Sequence, residues 1–282
     1  MSLSKKGFPY SHWQFLNSDT GDSLRIVPER GGLITSWYCN GRENFYFDVD
    51  RFLQRKKSIR GGMPVLFPIC GALESDCLSL PQGDFLMPQH GFARDIPWCI
   101  EPFEDKSGFL LKISDTDKTR NSYPFSFLVE MLIRLKGNAL EINTLIKNNG
   151  HEPMPFSFGL HPYFKVGDLG KVTIKGLPEK CINHKKMSGD VTEHQLQNLS
   201  KGVDFITNTS EPITLIDCDE GREIELHHQS PMDLTVIWTD PPRQMVCLEP
   251  WTSPRHSLIT GDRMLLLDPG ASQELNCRFL SN

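Results

Sequence analysis

Two polar residues of this sequence, a histidine and a glutamate, stand in settings that suit proton exchange. His161 lies in the run PFSFGLHPYFK (155–165), which is mostly apolar and aromatic, and Pro162 favours an extended backbone before it. Histidine titrates near neutral pH and can give or take a proton there. Glu249 ends the apolar segment MVCLE, where partial burial would raise its pKa and make it a usable base. A core histidine and a turn-capping glutamate are the ordinary alternatives.

Three basic residues stand beside glycines and aromatic side chains elsewhere in the chain. Arg60 opens the segment RGGMPVLFP, and His90 and Arg94 lie in QHGFARDIPW. Two histidines, two arginines and a carboxylate beside aromatic rings are typical of a carbohydrate pocket. Sugar hydroxyls bind polar side chains, whereas the C–H faces of the ring stack on aromatic groups. Either arginine alone could instead form a surface ion pair.

Several familiar chemistries have no matching motif. The sequence contains no G-x-S-x-G nucleophile elbow, no G-x-x-x-x-G-K-[ST] phosphate loop and no G-x-G-x-x-G segment after a strand. His227 and His228 are adjacent, so on a strand they would point to opposite faces and could not bind one metal ion. We therefore expect neither a metal nor a cofactor.

Alternating apolar and polar residues predict the strands that must position these side chains. Residues 125–135 and 140–146 alternate on either side of Gly137-Asn138, which predicts a long β-hairpin with one buried face. Residues 213–217 and 223–228 predict a second hairpin. Further strands are expected at 24–27, 33–38, 109–114, 172–175, 233–238, 244–249 and 264–267.

Helical periodicity is scarce, and residues 50–58 are the best candidate for a helix. Residues 60–100 are rich in glycine and proline and alternate little, which predicts a long ordered loop that forms a functional wall. We therefore predict an all-β protein, a large antiparallel β-sandwich or barrel-like double sheet, in a single domain over residues 1–282.

Composition excludes several classes of partner. The net charge is −5, with basic and acidic residues well mixed, so no basic surface that would bind nucleic acid or an anionic membrane is expected. The eight cysteines form no CxxC pair, which indicates reduced and mostly buried thiols. The first residues carry no apolar signal-peptide core, and no apolar run approaches membrane-spanning length. We expect a soluble cytoplasmic protein.

The sequence resembles the aldose 1-epimerase (mutarotase) family, and more closely its glucose-6-phosphate 1-epimerase-like branch. The segments that carry this resemblance follow the family order and cover nearly the whole chain. They are PERGGLITSW (28–37), RGGMPVLFP (60–68), QHGFARDIPW (89–98), FSFGLHPYF (156–164), GVDFI (202–206), LEPWTSP (248–254) and DPGASQEL (268–275). The resemblance implies the galactose mutarotase-like β-sandwich, in agreement with the strand pattern.

The resemblance also implies a role for each candidate residue. Glu249 would be the general base and His161 the general acid, with no metal or cofactor. His90 would bind the sugar near its ring oxygen. Arg60 and Asp204 would hold other hydroxyls. Arg94 matches the arginine near the phosphate in the phosphosugar branch.

The substrate and the activity stay open at this level. RGG-x-P around Arg60 follows the phosphosugar branch, HPYF (161–164) follows the classical enzymes, and the tail after Glu249 differs from the usual phosphosugar ending. The expected ligand is a small sugar or sugar phosphate. The alternatives are a sugar-binding protein with weak or no catalysis, and a lyase or hydrolase on the same fold. A glycosidase would need a second carboxylate at the bond, and Asp204 is the remaining candidate.

Overall fold

The computed structural model describes all 282 residues, and most of its ordered backbone is antiparallel β-structure. The strands, numbered in chain order, are β1 (Ser2–Lys6), β2 (His12–Leu16), β3 (Ser23–Val27), β4 (Leu33–Cys39), β5 (Arg42–Glu43), β6 (Val65–Leu66), β7 (Cys77–Leu80), β8 (Gly83–Leu86), β9 (Cys99–Pro102), β10 (Gly108–Ser114), β11 (Phe127–Lys136), β12 (Ala139–Asn148), β13 (Met154–Phe156), β14 (Gly159–Leu160), β15 (Tyr163–Lys165), β16 (Val172–Lys175), β17 (Lys180–Asn183), β18 (Ser188–Val191), β19 (Asp204–Asn208), β20 (Ile213–Asp217), β21 (Arg222–His228), β22 (Leu234–Trp238), β23 (Met245–Trp251), β24 (Leu265–Leu267) and β25 (Ser272–Ser281).

Helices are few and short. The α-helices are α1 (Val49–Leu53), α2 (Asp117–Arg120), α3 (Thr192–Leu196) and α4 (Ser257–Thr260), and single 3₁₀ turns cover Glu74–Asp76, Leu169–Lys171 and Leu199–Lys201. The expected helix at 50–58 is thus present only as α1. No helix is both long and apolar enough to cross a lipid bilayer.

Two large sheets carry most of the fold. The back sheet has the order β16-β20-β21-β25-β12-β11-β10-β9, and the site sheet has the order β18-β17-β19-β22-β23-β14-β6, with β15 also paired to β23. Strands β1 to β5 form a third sheet. One cluster of 55 buried apolar residues joins them, and it includes Phe127 of the back sheet and Leu248 of the site sheet. The predicted antiparallel β-sandwich is confirmed.

Period-two patterning accounts for the back sheet. Strands β11 and β12 pair from Lys136 opposite Ala139 to Phe127 opposite Asn148, and the odd residues of β11 are buried while its even residues are partly exposed up to the exposed Lys136. The hairpin predicted on either side of Gly137-Asn138 is confirmed, as is the β20–β21 hairpin. Alternate residues of a strand point to opposite faces, so a single buried face suffices to set this register.

Residues 60–100 are more structured than the sequence indicated. The segment contains β6 and the β7–β8 hairpin, together with isolated bridges such as Ile34 to Met63 and Phe67 to Gly91. The first bridge joins the segment to β4, and the second joins two parts of the segment to each other. The weak alternation in the sequence reflects the shortness of these strands, and β8 is largely exposed.

Close backbone packing anchors this segment at Gly62. Its φ of +68° is in the left-handed region, and a Cβ there would lie 2.5 Å from the carbonyl oxygen of Ile34. Any side chain at this position would have to push two backbone segments apart, which would displace Arg60 two residues earlier.

We predict that Gly62→Ala lowers the free energy of unfolding by about 3 kcal/mol, because backbone strain and overpacking add. Gly137→Ala is the matched control, since Gly137 also has a positive φ of +60° but faces open space. Its cost should stay near 1 kcal/mol, roughly the strain of a left-handed residue. Urea unfolding of both variants measures the difference, and equal losses would contradict the packing argument.

Candidate active site

His161 and Glu249 meet because they occupy opposite positions on neighbouring strands. Gly159 pairs with Trp251 and Tyr163 pairs with Cys247, so His161 falls opposite Glu249 in the gap between β14 and β15. Directly opposite residues share one face of a sheet. The His161 Nε2 atom lies 3.4 Å from Glu249 Oε1.

Both members of this pair are buried. The side chain of Glu249 is 1% exposed and that of His161 is 11% exposed. The Trp251 indole N–H donates a 3.1 Å hydrogen bond to the other carboxyl oxygen of Glu249, Oε2. The His161 ring stacks on Tyr163 at 4.7 Å between centroids, and its Nδ1 has no hydrogen-bond partner. The Nε2 atom is therefore the nitrogen that faces the carboxyl group.

Burial moves the two pKa values in opposite directions. It raises the pKa of Glu249 well above its ordinary value, and the nearby Asp204 carboxylate adds to the rise. It lowers the pKa of His161 to about 3, with a further decrease from the charge of Arg94. Each shift disfavours the charged form. Burial therefore favours a neutral carboxyl group beside a neutral imidazole.

His90 completes the buried centre of the site. Its ring meets those of His161 and Trp251 edge to face at 5.6 and 5.8 Å. The Gly71 backbone N–H donates a 3.1 Å hydrogen bond to the ring nitrogen Nδ1 of His90. The backbone N–H of His90 donates a 2.7 Å hydrogen bond to the Gly71 carbonyl oxygen. Because Nδ1 accepts a hydrogen bond, the ring proton must reside on Nε2.

Arg60 and Arg94 lie at the rim of the same pocket. The Arg60 guanidinium stands over Trp238 at 5.6 Å, and its Nε is 3.7 Å from Asp240. Arg94 donates a 2.6 Å hydrogen bond from Nη2 to the carbonyl of Gln89, and its Nε is 3.7 Å from Asp95. Neither arginine is tightly paired with a carboxylate, so both retain donors for a ligand.

Both carboxylate oxygens of Asp204 contact other side chains of the protein. His184 Nδ1 lies 2.7 Å from its Oδ1, and Arg255 Nη2 donates a 2.8 Å hydrogen bond to its Oδ2. Burial alone would raise the pKa of Asp204, but the hydrogen bond from His184 and the charge of Arg255 outweigh it and the pKa falls. Asp204 is thus an ionised anchor for two other side chains.

All six residues singled out in the sequence line one pocket: Arg60, His90, Arg94, His161, Asp204 and Glu249. Residues 60–100 contribute one wall of it, as expected for this segment. Sequence reasoning missed Arg255 and His184. Arg255 lies shortly after β23, the strand that carries Glu249, and that position was the one available signal.

A metal could find ligands only in the centre of the pocket. The ligand atoms of His161, Cys247 and Glu249 lie within 4.8 Å of one another. Burial raises the pKa of the Cys247 thiol well above its ordinary value. A thiol must lose its proton to bind a metal, so this environment opposes metal binding.

Comparison with known proteins agrees with the fold. Residues 18–279 match the family model described as aldose 1-epimerase. The chain belongs to the aldose 1-epimerase family. It is similar to an Escherichia coli protein provisionally named glucose-6-phosphate 1-epimerase, with 29% identity over 158 residues. That match covers 55% of this chain and 49% of the relative, so it spans about half the length of that protein.

Solved structures show the same architecture. A protein from Synechocystis sp. PCC 6803 is 32% identical, with a TM-score of 0.91 over 96% of this chain and 95% of the other. A galactose mutarotase related enzyme from Lactobacillus acidophilus is 21% identical, with a TM-score of 0.77 over 96% of this chain and 97% of the other. The second similarity supports the fold alone.

We predict that His90 stays neutral, with its proton on Nε2, from pH 8 to pH 5. Burial lowers its pKa well below the ordinary value, and the nearby His161 and arginines lower it further. Long-range ¹H–¹⁵N NMR reports the tautomer, and the spectrum of His90→Gln assigns the signal. A titration midpoint near the ordinary value of about 6.5 would contradict the effect of burial on the pKa, and a proton on Nδ1 would contradict the hydrogen-bond assignment.

Proposed function

We propose that this protein is an aldose 1-epimerase that interconverts the α and β anomers of a hexose or a hexose 6-phosphate. The contact between His161 and Glu249 in a polar and aromatic pocket is the observation that carries the proposal. Membership of the aldose 1-epimerase family supports it.

The reaction needs one base and one acid at neighbouring oxygens. Glu249 removes the proton from the C1 hydroxyl while His161 protonates the ring oxygen, so the ring opens to an aldehyde. Rotation about the C1–C2 bond and reclosure then give the other anomer. Both oxygens are bonded to C1, so two side chains that touch each other can reach both from one side.

A single proton on the pair is sufficient for the whole cycle. Ring opening starts from anionic Glu249 and cationic His161 and ends with both groups neutral, and reclosure reverses these roles. Transfer across the 3.4 Å contact interconverts the two forms without exchange with solvent. The neutral form that burial favours is therefore a resting form of the same one-proton state.

The remaining residues of the pocket suit a sugar. His90 carries its ring proton on Nε2, which lies 3.3 Å from the side-chain amide of Gln89, and the partly exposed Trp238 offers apolar ring surface. Arg60 and Arg94 retain unused donors near His161, which is the side of the ring oxygen and of C6. A phosphate at C6 would find charge-assisted donors there, consistent with a phosphosugar substrate.

A glycosidase is less well supported by the same contacts. That chemistry uses a second carboxyl group as acid, base or nucleophile. Asp204 is the other carboxylate of the pocket, and both of its oxygens are engaged by His184 and Arg255.

We predict that Glu249→Gln and His161→Gln each reduce kcat by about 100-fold or more, the usual contribution of a general acid or base. Glucose, galactose and glucose 6-phosphate would be followed by NMR exchange spectroscopy, and the fastest of them identifies the preferred substrate. Affinity for the sugar should change little in Glu249→Gln, since the side chain keeps its shape.

The chain offers a matched control in a second His–Glu pair. His227 Nε2 lies 3.1 Å from Glu225 on the back sheet, outside the pocket, and Glu225→Gln should leave turnover unchanged. A parallel loss of affinity and turnover in Glu249→Gln would refute its role as the base. Binding without turnover in the wild type would instead identify a sugar-binding protein.

We predict that kcat/KM for the preferred sugar is flat from pH 7 down to pH 5. Activity is lost at low pH only when the pair takes up a second proton, and the pKa of His161 that governs this step is lowered to about 3. Initial rates corrected for spontaneous anomerisation measure the profile. A fall centred near pH 6.5, the ordinary value for histidine, would contradict this ionisation scheme.

A further inference from the structure

Arg255 is a pocket residue whose position is set from several directions. Its Nη2 donates to Asp204 Oδ2, and Asp204 Oδ1 is bound by His184. Asp204 makes these two contacts from the start of β19. The guanidinium group is therefore held at one end by a partly buried, ionised carboxylate.

The stem of Arg255 is held by the wall at residues 60–100. A Cβ added to Gly71 would lie 2.3 Å from Arg255 Cγ, so the arginine stem crosses the space that any side chain at position 71 would fill. The N–H of the same Gly71 binds His90. Gly71 thus leaves room for the Arg255 stem because it has no side chain, and its N–H group orients the His90 ring.

Arg255 keeps donors that no protein group uses. Its hydrogen bond to Asp204 engages Nη2, and Nη1 has no protein partner. Its Nε is also without a partner but is closed to solvent. The residue lines the pocket, so Nη1 is the donor that a ligand can reach.

The aromatic contacts place the basic residues on two different sides. His184 stacks on Trp251 at 6.2 Å, and Trp251 binds Glu249, so the Arg255 cluster lies on the Glu249 side. Arg60 stands over Trp238, whose ring meets His161 edge to face at 5.7 Å, so Arg60 lies on the His161 side.

In a pyranose, C2 is bonded to the anomeric carbon on which Glu249 acts, whereas C6 is reached through the ring oxygen. We propose that Arg255 binds the hydroxyl group on C2 of the sugar, and that Asp204 and His184 are its positioning residues. This inference rests on the proposed function and adds to it a preference for aldoses that carry a 2-hydroxyl group.

The test compares glucose with 2-deoxyglucose, and their 6-phosphates, each rate being divided by the spontaneous rate of that sugar. Arg255→Met keeps an apolar stem and removes the donors. It should lower kcat/KM for glucose about 10- to 100-fold, as expected for a lost charge-assisted hydrogen bond. It should lower kcat/KM for 2-deoxyglucose less than about threefold, because that sugar lacks the hydroxyl group. Arg60→Met is the matched control and should lower kcat/KM for both sugars by the same factor.

The positioning residues are tested by rescue. His184→Phe should remove the discrimination against 2-deoxyglucose, and His184→Asn should restore it, because the amide nitrogen of asparagine stands where Nδ1 of histidine does. Thermal unfolding identifies variants that have merely lost stability. If His184→Phe loses the discrimination against 2-deoxyglucose and His184→Asn does not restore it, the positioning role of His184 would be overturned.

The outcomes separate the two proposals. Equal losses for glucose and 2-deoxyglucose in Arg255→Met, with an active wild type, would overturn the C2 assignment and leave the epimerase proposal standing. A wild type without turnover would overturn the epimerase proposal. Calorimetric binding of glucose and 2-deoxyglucose to wild type and Arg255→Met then tests the C2 assignment alone, and equal affinities for the two sugars would reject it.

Discussion

Burying a carboxyl group beside an imidazole is the most demanding interaction in this fold. A buried polar group is costly unless it is hydrogen-bonded, and Glu249 is 1% exposed. The Trp251 indole satisfies one of its oxygens, and His161 faces the other. Strand β23 is buried along its whole length, so the site sheet needs a cover on its pocket face as well as the back sheet behind it.

That cover is an irregular segment held by close backbone contacts. Residues 60–100 contain only short strands, and they approach the sheets where no side chain intervenes, as at Gly62. His90 adopts a left-handed backbone with φ of 67° between its reciprocal hydrogen bonds to Gly71. Such a conformation is stable only where the surrounding contacts fix it. Here it directs the His90 ring toward the buried pair of His161 and Glu249.

The charges of the pocket are balanced so that donors remain available. Arg60, Arg94 and Arg255 each lie near an aspartate, while burial keeps His90 and His161 neutral. The cavity therefore presents directed N–H groups with little excess charge. The interior of the cavity therefore suits hydroxyl groups, and the loosely paired arginines at its rim suit a more acidic substituent.

The sequence by itself determined the all-β class and the main hairpins, because alternation along a strand is a local signal and one buried face sets the register. It also pointed to His161 and Glu249, since each is a polar residue in an apolar run. The tertiary structure decided what these residues touch. Arg255 and His184 reach Asp204 across sequence separations of 51 and 20 residues, and nothing in their local sequence records such contacts. Packing of a glycine-rich wall against the site sheet brings them together, and long-range packing of this kind has no periodic signature in the chain.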